Sequence, residues 1–140
     1  MGSKEQIRKA KRLRKVFGGG WRQAGFLAAA GIYALDHHIE RLHNDHYRAA
    51  ALAAEAKNLS FVDEVYPQET NIVIFRLANE LQPTAFIQAL AENNIKVSSF
   101  GGQYIRMVTH LDFDDNMLEK TIEELRKFTP AKAKKAAVSR

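Results

Sequence analysis

Asn71-Ile72-Val73-Ile74-Phe75-Arg76-Leu77 reads as a central β-strand: a short run of apolar, mostly β-branched side chains that suits a covered, pleated surface. Upstream, Phe61 to Val65 predicts a shorter strand. Downstream, Pro83 fits the first turn of a helix, because its fixed φ is helical and its missing N–H would have no partner there. That helix is predicted to reach about Glu92, with Asn93-Asn94 ending it. Ile95 to Ser98 then predicts a short strand, Gly101-Gly102 a turn, and Tyr104 to Thr109 a further strand. Asp112 or Asp114 caps a last helix through Arg126, with Met117, Leu118, Ile122 and Leu125 facing inward. Residues 59–128 are thus expected to form a small α+β domain, with an antiparallel or mixed sheet and two helices.

Toward the N-terminus the pattern becomes helical. Ile7 to Val16 predicts a short basic helix, stopped by Gly18-Gly19-Gly20, since three glycines lose too much backbone entropy to continue it. Residues 1–20 are therefore a basic helix and a glycine turn. From Trp21 to about Lys57 there is no proline and much Ala, Leu and Glu. This stretch predicts one long interdomain helix over 21–58, straight or kinked, of roughly 50 Å at the usual rise per residue. Its first half, Ala24 to Leu35 (AGFLAAAGIYAL), is apolar on every side, whereas beyond Asp36 a single stripe of Leu35, Ile39, Leu42, His46, Ala49, Ala53 and Ala56 is expected inward. An all-round apolar helix must be surrounded by protein. The remaining residues are too few to wrap it, so a missing domain or a partner subunit is expected. Pro130 opens a Lys/Ala-rich tail, 129–140, expected to be disordered.

Composition narrows the function classes. The 140 residues are 46% hydrophobic and 26% charged, as in ordinary globular domains, and long enough for one modest core. No run approaches the ~20 apolar residues of a membrane span, and the N-terminus opens on charges instead of a signal-peptide core. A cytoplasmic setting fits. Without cysteine, disulfides and thiolate zinc sites are excluded. The formal net charge is +5, but seven Lys/Arg sit in Met1–Lys15 and four in the last twelve residues, which leaves an acidic middle. Nucleic-acid modules more often carry the charge on the folded face, and no RNA-binding or helix-turn-helix signature is present, so neither nucleic acid nor membrane is expected as a partner.

Few residues offer chemistry. A glycine loop that feeds a helix N-terminus exposes N–H groups and a positive dipole end, and Lys15 and Arg22 bracket this one with full charges. Anion binding is one reading; a plain glycine helix break with exposed cations is the other. Strand alternation puts Arg106 on the face opposite Ile105 and Met107, beside Tyr104 and Val108. A guanidinium among apolar neighbours suits a carboxylate or a phosphate, and its planar fork binds a carboxylate bidentately, although an edge-strand arginine snorkelling into water is the commoner case. Glu40, His43 and His46 match no strong metal spacing, and no metal is expected. There is no Ser/His/Asp or Cys/His order for nucleophilic catalysis and no Walker-type glycine loop.

Three motifs in order carry a resemblance. Arg14-Lys15-Val16-Phe17-Gly18-Gly19-Gly20-Trp21-Arg22-Gln23-Ala24-Gly25, continuing to Leu35, resembles the R-K-x-x-G-G-G-M-R-Q-x-G-x-L-A-A-A stretch of L-threonine aldolases. Glu69-Thr70-Asn71-Ile72-Val73 resembles that family's E-T-N strand entry, and Arg106 to Asp112 its R-x-V-T-H-x-D segment. The similarity covers almost everything from Lys4 to Phe128. It implies the C-terminal small domain of a fold-type I pyridoxal-phosphate lyase that splits threonine or allo-threonine into glycine and acetaldehyde. It also implies that Arg106 holds the substrate carboxylate and that Lys15 and Arg22 lie close to the cofactor, across a dimer interface.

Two departures stand out. Trp21 replaces the usual methionine. The family's S-K-G-L segment, with the Schiff-base lysine, is expected shortly before Gly2-Ser3 and is absent from these residues. The expectation is therefore a fragment that carries no catalytic residue of its own, binds no cofactor covalently and is inactive alone. The alternatives are a fragment of another fold-type I amino-acid lyase and a non-catalytic oligomerisation or regulatory module.

Overall fold

The computed structural model describes residues 2–130 and divides at Glu40/Arg41 into two compact units. In the first, α1 spans Lys4–Val16 and starts three residues before the predicted Ile7. Ser3 is the reason. Its hydroxyl accepts from the Gln6 N–H at 3.3 Å while the Gln6 side chain accepts from the Ser3 N–H at 2.8 Å, a reciprocal cap of two otherwise unpaired donors. The helix ends at Phe17, where Gly18 turns left-handed with φ of +77°. The Gly19 N–H returns to the Arg14 carbonyl at 2.7 Å and the Gly18 N–H to that of Lys15 at 3.2 Å, closing the last turn.

The helix expected over 21–58 is two helices, α2 (Gly25–His37) and α3 (Leu42–Ala56), with α3 in the second unit. Asp36, His37 and His38 are weak helix formers, and the Tyr33 ring packs tilted against His37 at 4.2 Å and edge-on to His38 at 5.6 Å, where the helix stops. No residue of α2 is buried, and Phe26 is 93% exposed. The inward stripe begins only in α3: Ala49, Ala53 and Ala56 are buried, but Leu35, Ile39, Leu42 and His46 are exposed. Asp45, a turn inside α3, is buried and receives Arg41 at 2.7 Å, so a paired charge takes the place given to a hydrophobe.

The second unit is the expected α+β domain. Strands β1 (Val62–Val65), β2 (Ile72–Leu77), β3 (Ser98–Gly101) and β4 (Tyr104–Val108) make a wholly antiparallel sheet in the order β1-β2-β4-β3. Helices α4 (Pro83–Ala91) and α5 (Asp115–Lys127) complete it. Val73, Phe75, Leu77, Ile105 and Met107 point to one face and form the core with Ala49, Leu52, Phe86, Leu90, Leu118 and Leu125. The alanines of α3 let that helix lie close to the sheet, and Phe86 fills the centre of an aromatic group with Phe61, Phe75 and Phe128. Among the described residues no helix of this unit covers the other face of the sheet, where Ile72, Arg106 and Val108 are exposed.

Two details differ from expectation. The strand placed at Ile95–Ser98 begins at Ser98, because Asn94 turns left-handed and the Ile95 N–H returns to the Leu90 carbonyl, making Ile95 part of the helix ending. Met117 is 48% exposed, and Thr121 takes a buried place on α5, its hydroxyl satisfied by the Met117 carbonyl at 2.7 Å. The tail read over 129–140 lies, past Pro130, outside the described residues.

Asp114 is the cap of α5; its side chain accepts from the Met117 N–H at 2.8 Å. Asp114→Ala should cost about 1 kcal/mol, read as a lower urea midpoint with an unchanged slope. At the other end of α5, Arg126 donates two hydrogen bonds to Glu55 of α3, at 2.7 and 2.6 Å. These hold the Glu55 carboxyl below the usual carboxylate range, against the opposing effect of burial. A carboxyl depressed in the folded state stabilises the fold above its unfolded pKa and ceases to do so as pH falls through the folded value. Between roughly pH 5 and pH 3 the thermal midpoint of the chain should therefore drop further than that of Glu55→Gln.

Candidate functional site

The open face of the sheet holds the Arg106 side chain. Registry sets its surroundings: Ile74 of β2 and Ser98 of β3 lie directly across from it, and Tyr104 and Val108 precede and follow it on the same face of β4. Ile72, across from Val108, extends an aliphatic patch; both are close to half exposed. On the other side the Tyr66 and Tyr104 rings pack at 5.4 Å, and the adjacent Tyr66 hydroxyl raises the Tyr104 pKa.

Two arginines share this face, and their environments differ. Arg76, across from Tyr104, donates to Asp63 and to Asn79, so its charge and its fork are engaged. The Arg106 guanidinium has no hydrogen bond or ion pair among the described residues, and the residue is exposed. A guanidinium ringed by isoleucine, valine and tyrosine, with its donors unused, is suited to an incoming carboxylate, which fits both prongs at once.

Asn71 and Thr109 of the E-T-N and R-x-V-T-H-x-D motifs serve the frame. Buried Thr109 donates its hydroxyl to the Asp45 carbonyl at 2.7 Å, and the Asn71 amide donates to the Thr109 carbonyl, also at 2.7 Å. The Thr109 N–H closes the ring on the Asn71 carbonyl at 3.0 Å. These bonds lock the entry of β2, the exit of β4 and the start of α3 together, and so fix the strand that carries Arg106. His110 is exposed, its Nδ1 accepting from the Asp112 N–H at 3.2 Å.

Lys15 and Arg22 belong to the first unit and Arg106 to the second. Both cations are exposed and have no ion pair among the described residues. The glycine loop between them is not a backbone cradle for an anion: the N–H groups of Gly18 and Gly19 are spent on the α1 carbonyls, and α2 starts only at Gly25. Any anion here would meet side-chain charge. Among the described residues no group of three His, Asp or Glu could hold a metal ion, and no helix is long and apolar enough to cross a membrane.

Sequence reasoning reached Arg106 through strand alternation but missed Tyr66, Ile74 and Arg76 as its surroundings. Alternation gives the face of a residue and not its cross-strand neighbour, which depends on registry and on the bulge between Val62 and Glu64.

Comparison with known proteins gives the family and the fold. A family model described as beta-eliminating lyase matches residues 1–80. The low specificity L-threonine aldolase of Escherichia coli K12 is 35% identical over 128 residues, covering 91% of this chain and 37% of that protein. Low-specificity L-threonine aldolase 1 of Arabidopsis thaliana is 34% identical over 113 residues, 79% of this chain and 32% of that protein. The chain thus spans about a third of the length of these curated relatives. Among solved structures, a cystine C–S lyase in complex with its reaction product cysteine persulfide superposes with a TM-score of 0.58 at 22% identity, over 76% of this chain and 29% of that one, and shares its fold.

Proposed function

The chain belongs to the beta-eliminating lyase family, and on that premise we propose that it is the C-terminal portion of a pyridoxal-phosphate-dependent threonine aldolase, cleaving threonine or allo-threonine to glycine and acetaldehyde. The observation that carries the reading is Arg106, the arginine of the open sheet face whose donors are unused while those of its neighbour Arg76 are engaged. Its role is to bind the substrate carboxylate through both prongs of the guanidinium and so orient the bond to be broken. Ile74, Val108 and Tyr104 exclude water from that ion pair and strengthen it.

The cofactor would be pyridoxal 5′-phosphate, which when bound supplies an electron sink for carbon–carbon cleavage. Its negative charge fits Lys15 and Arg22, two unpaired cations beside one bend; the amides of Gly18 and Gly19 add nothing, being used in the helix ending. The 140 residues contain no Ser-Lys-Gly-Leu segment, so a covalent anchor is assigned to another part of the enzyme. The bare apolar surface of α2 supports burial against a large domain or a second subunit; Leu27, Ile32, Tyr33 and Leu35 are each more than half exposed. That same surface would serve a non-catalytic oligomerisation module, the second reading.

Acetaldehyde release from threonine tests the proposal. The longest natural polypeptide that carries these residues should release it with added pyridoxal phosphate, and the 140 residues alone should not. Turnover by the 140 residues alone would overturn the assignment of the anchor. Release of ammonia from aromatic amino acids instead of acetaldehyde from threonine would point to the other lyase chemistry. Inertness of the long polypeptide, with tight self-association, would favour the module.

A further inference from the structure

On the side of β4 opposite Arg106, the second unit holds a groove of about 320 Å³ between α5, the end of β4 and the loop after α4. That volume is at the small end of ligand pockets, which run from roughly 300 to 1,000 Å³. Leu52 and Met107, both buried, make the floor, and Phe113, Met117 and Ile95 the walls. Met117 is the side chain expected inward and found half exposed: it borders the groove, and no described residue covers it.

The rim is basic. Lys96 and Lys120 line the groove, and neither ammonium group has a hydrogen bond or ion pair among the described residues. Several cations elsewhere on this unit are matched: Arg48 with Asp115, Arg126 with Glu55, and Lys127 with Glu123 and Glu124. Asp112 and His110 also line the groove. The Asp112 side chain is 88% exposed and 3.9 Å from the His110 ring, so its charge faces water and imidazole.

We propose that this groove binds a small amphiphilic carboxylate, with a ring or branched aliphatic body on Leu52, Met107, Phe113 and Met117 and the carboxylate between Lys96 and Lys120. The apolar walls recognise the body, since burying it removes both surfaces from water. The two unmatched ammonium groups select the charge and exclude a neutral ligand of the same shape. This inference is independent of the lyase reading.

Methyl NMR tests it in the 140-residue chain, because the three methionines are Met1, Met107 and Met117 and two of them line the groove. Phenylpropionate is the probe and phenylpropanol its neutral counterpart. The Met107 and Met117 methyl signals should shift saturably with phenylpropionate while that of Met1 stays still, and the alcohol should bind more weakly. The Lys96→Glu/Lys120→Glu double variant changes two exposed residues, so it should fold. It should weaken phenylpropionate by about tenfold and leave the alcohol unchanged. Absence of a saturable shift, equal affinity for acid and alcohol, or full affinity in the double variant overturns the proposal. So do methionine shifts that depend on protein concentration without probe, which would make a second copy the occupant.

Discussion

Arg106→Ala, in the longest natural polypeptide that carries this chain, is expected to lower kcat/KM for threonine cleavage by about 100-fold, the loss of two charge-assisted hydrogen bonds to one carboxylate. The loss should include a higher KM, because the carboxylate is held in the ground state as well as in the transition state. Arg106→Lys keeps the charge and loses the planar fork, so it should recover only part of the activity, about tenfold below the parent. Folding is not at issue: the side chain is exposed and has no partner among the described residues, so either variant should melt within about 0.5 kcal/mol of the parent. Normal steady-state kinetics for Arg106→Ala would remove the residue from the site, and with it the main support for a carboxylate-bearing substrate.

Phe86→Ala should have the largest effect on stability, about 3–5 kcal/mol. Phe86 has no exposure, and its ring lies 5.0 to 6.0 Å from those of Phe128, Phe61 and Phe75, which cannot all move into the space left behind. For a unit of this size each kcal/mol moves the midpoint by roughly 4–8 °C, so the variant should melt some 15 °C or more below the parent, or fail to fold. Phe26→Ala is the matching control. The same substitution at a ring that is 93% exposed should change the melting of the 140-residue chain by less than about 0.5 kcal/mol. Similar losses at both positions, followed by thermal circular dichroism, would mean that α2 is covered in solution and that its exposure here does not describe the isolated chain.

Much of the candidate site was legible as residue types and faces. Arg106 was placed on the open side of β4 by alternation with Ile105 and Met107, which are buried. The three motifs were legible as a resemblance, but their internal division of labour was not. Thr109 turns out to tie β4 to α3 through a buried bond, Asn71 to tie β2 to β4, and Gly18 and Gly19 to close a helix. Each of those bonds joins groups whose partners are chosen by a hydrogen-bond count around a folded turn, which no spacing rule expresses.

Local chemistry wrote the helix starts and stops into the chain itself. Ser3 with Gln6, Gly18, Pro83 and Asp114 act within a few residues of themselves, and the alternating side chains of β2 and β4 declare their buried face wherever those strands pair. Folding alone decided which arginine stays available. Asp63, thirteen residues from Arg76 in the chain, reaches it only because β1 pairs antiparallel with β2 and bulges between Val62 and Glu64; among the described residues no comparable acid is brought to Arg106. An ion pair between distant residues depends on strand registry, and registry is set by the packing of the whole sheet against its helices.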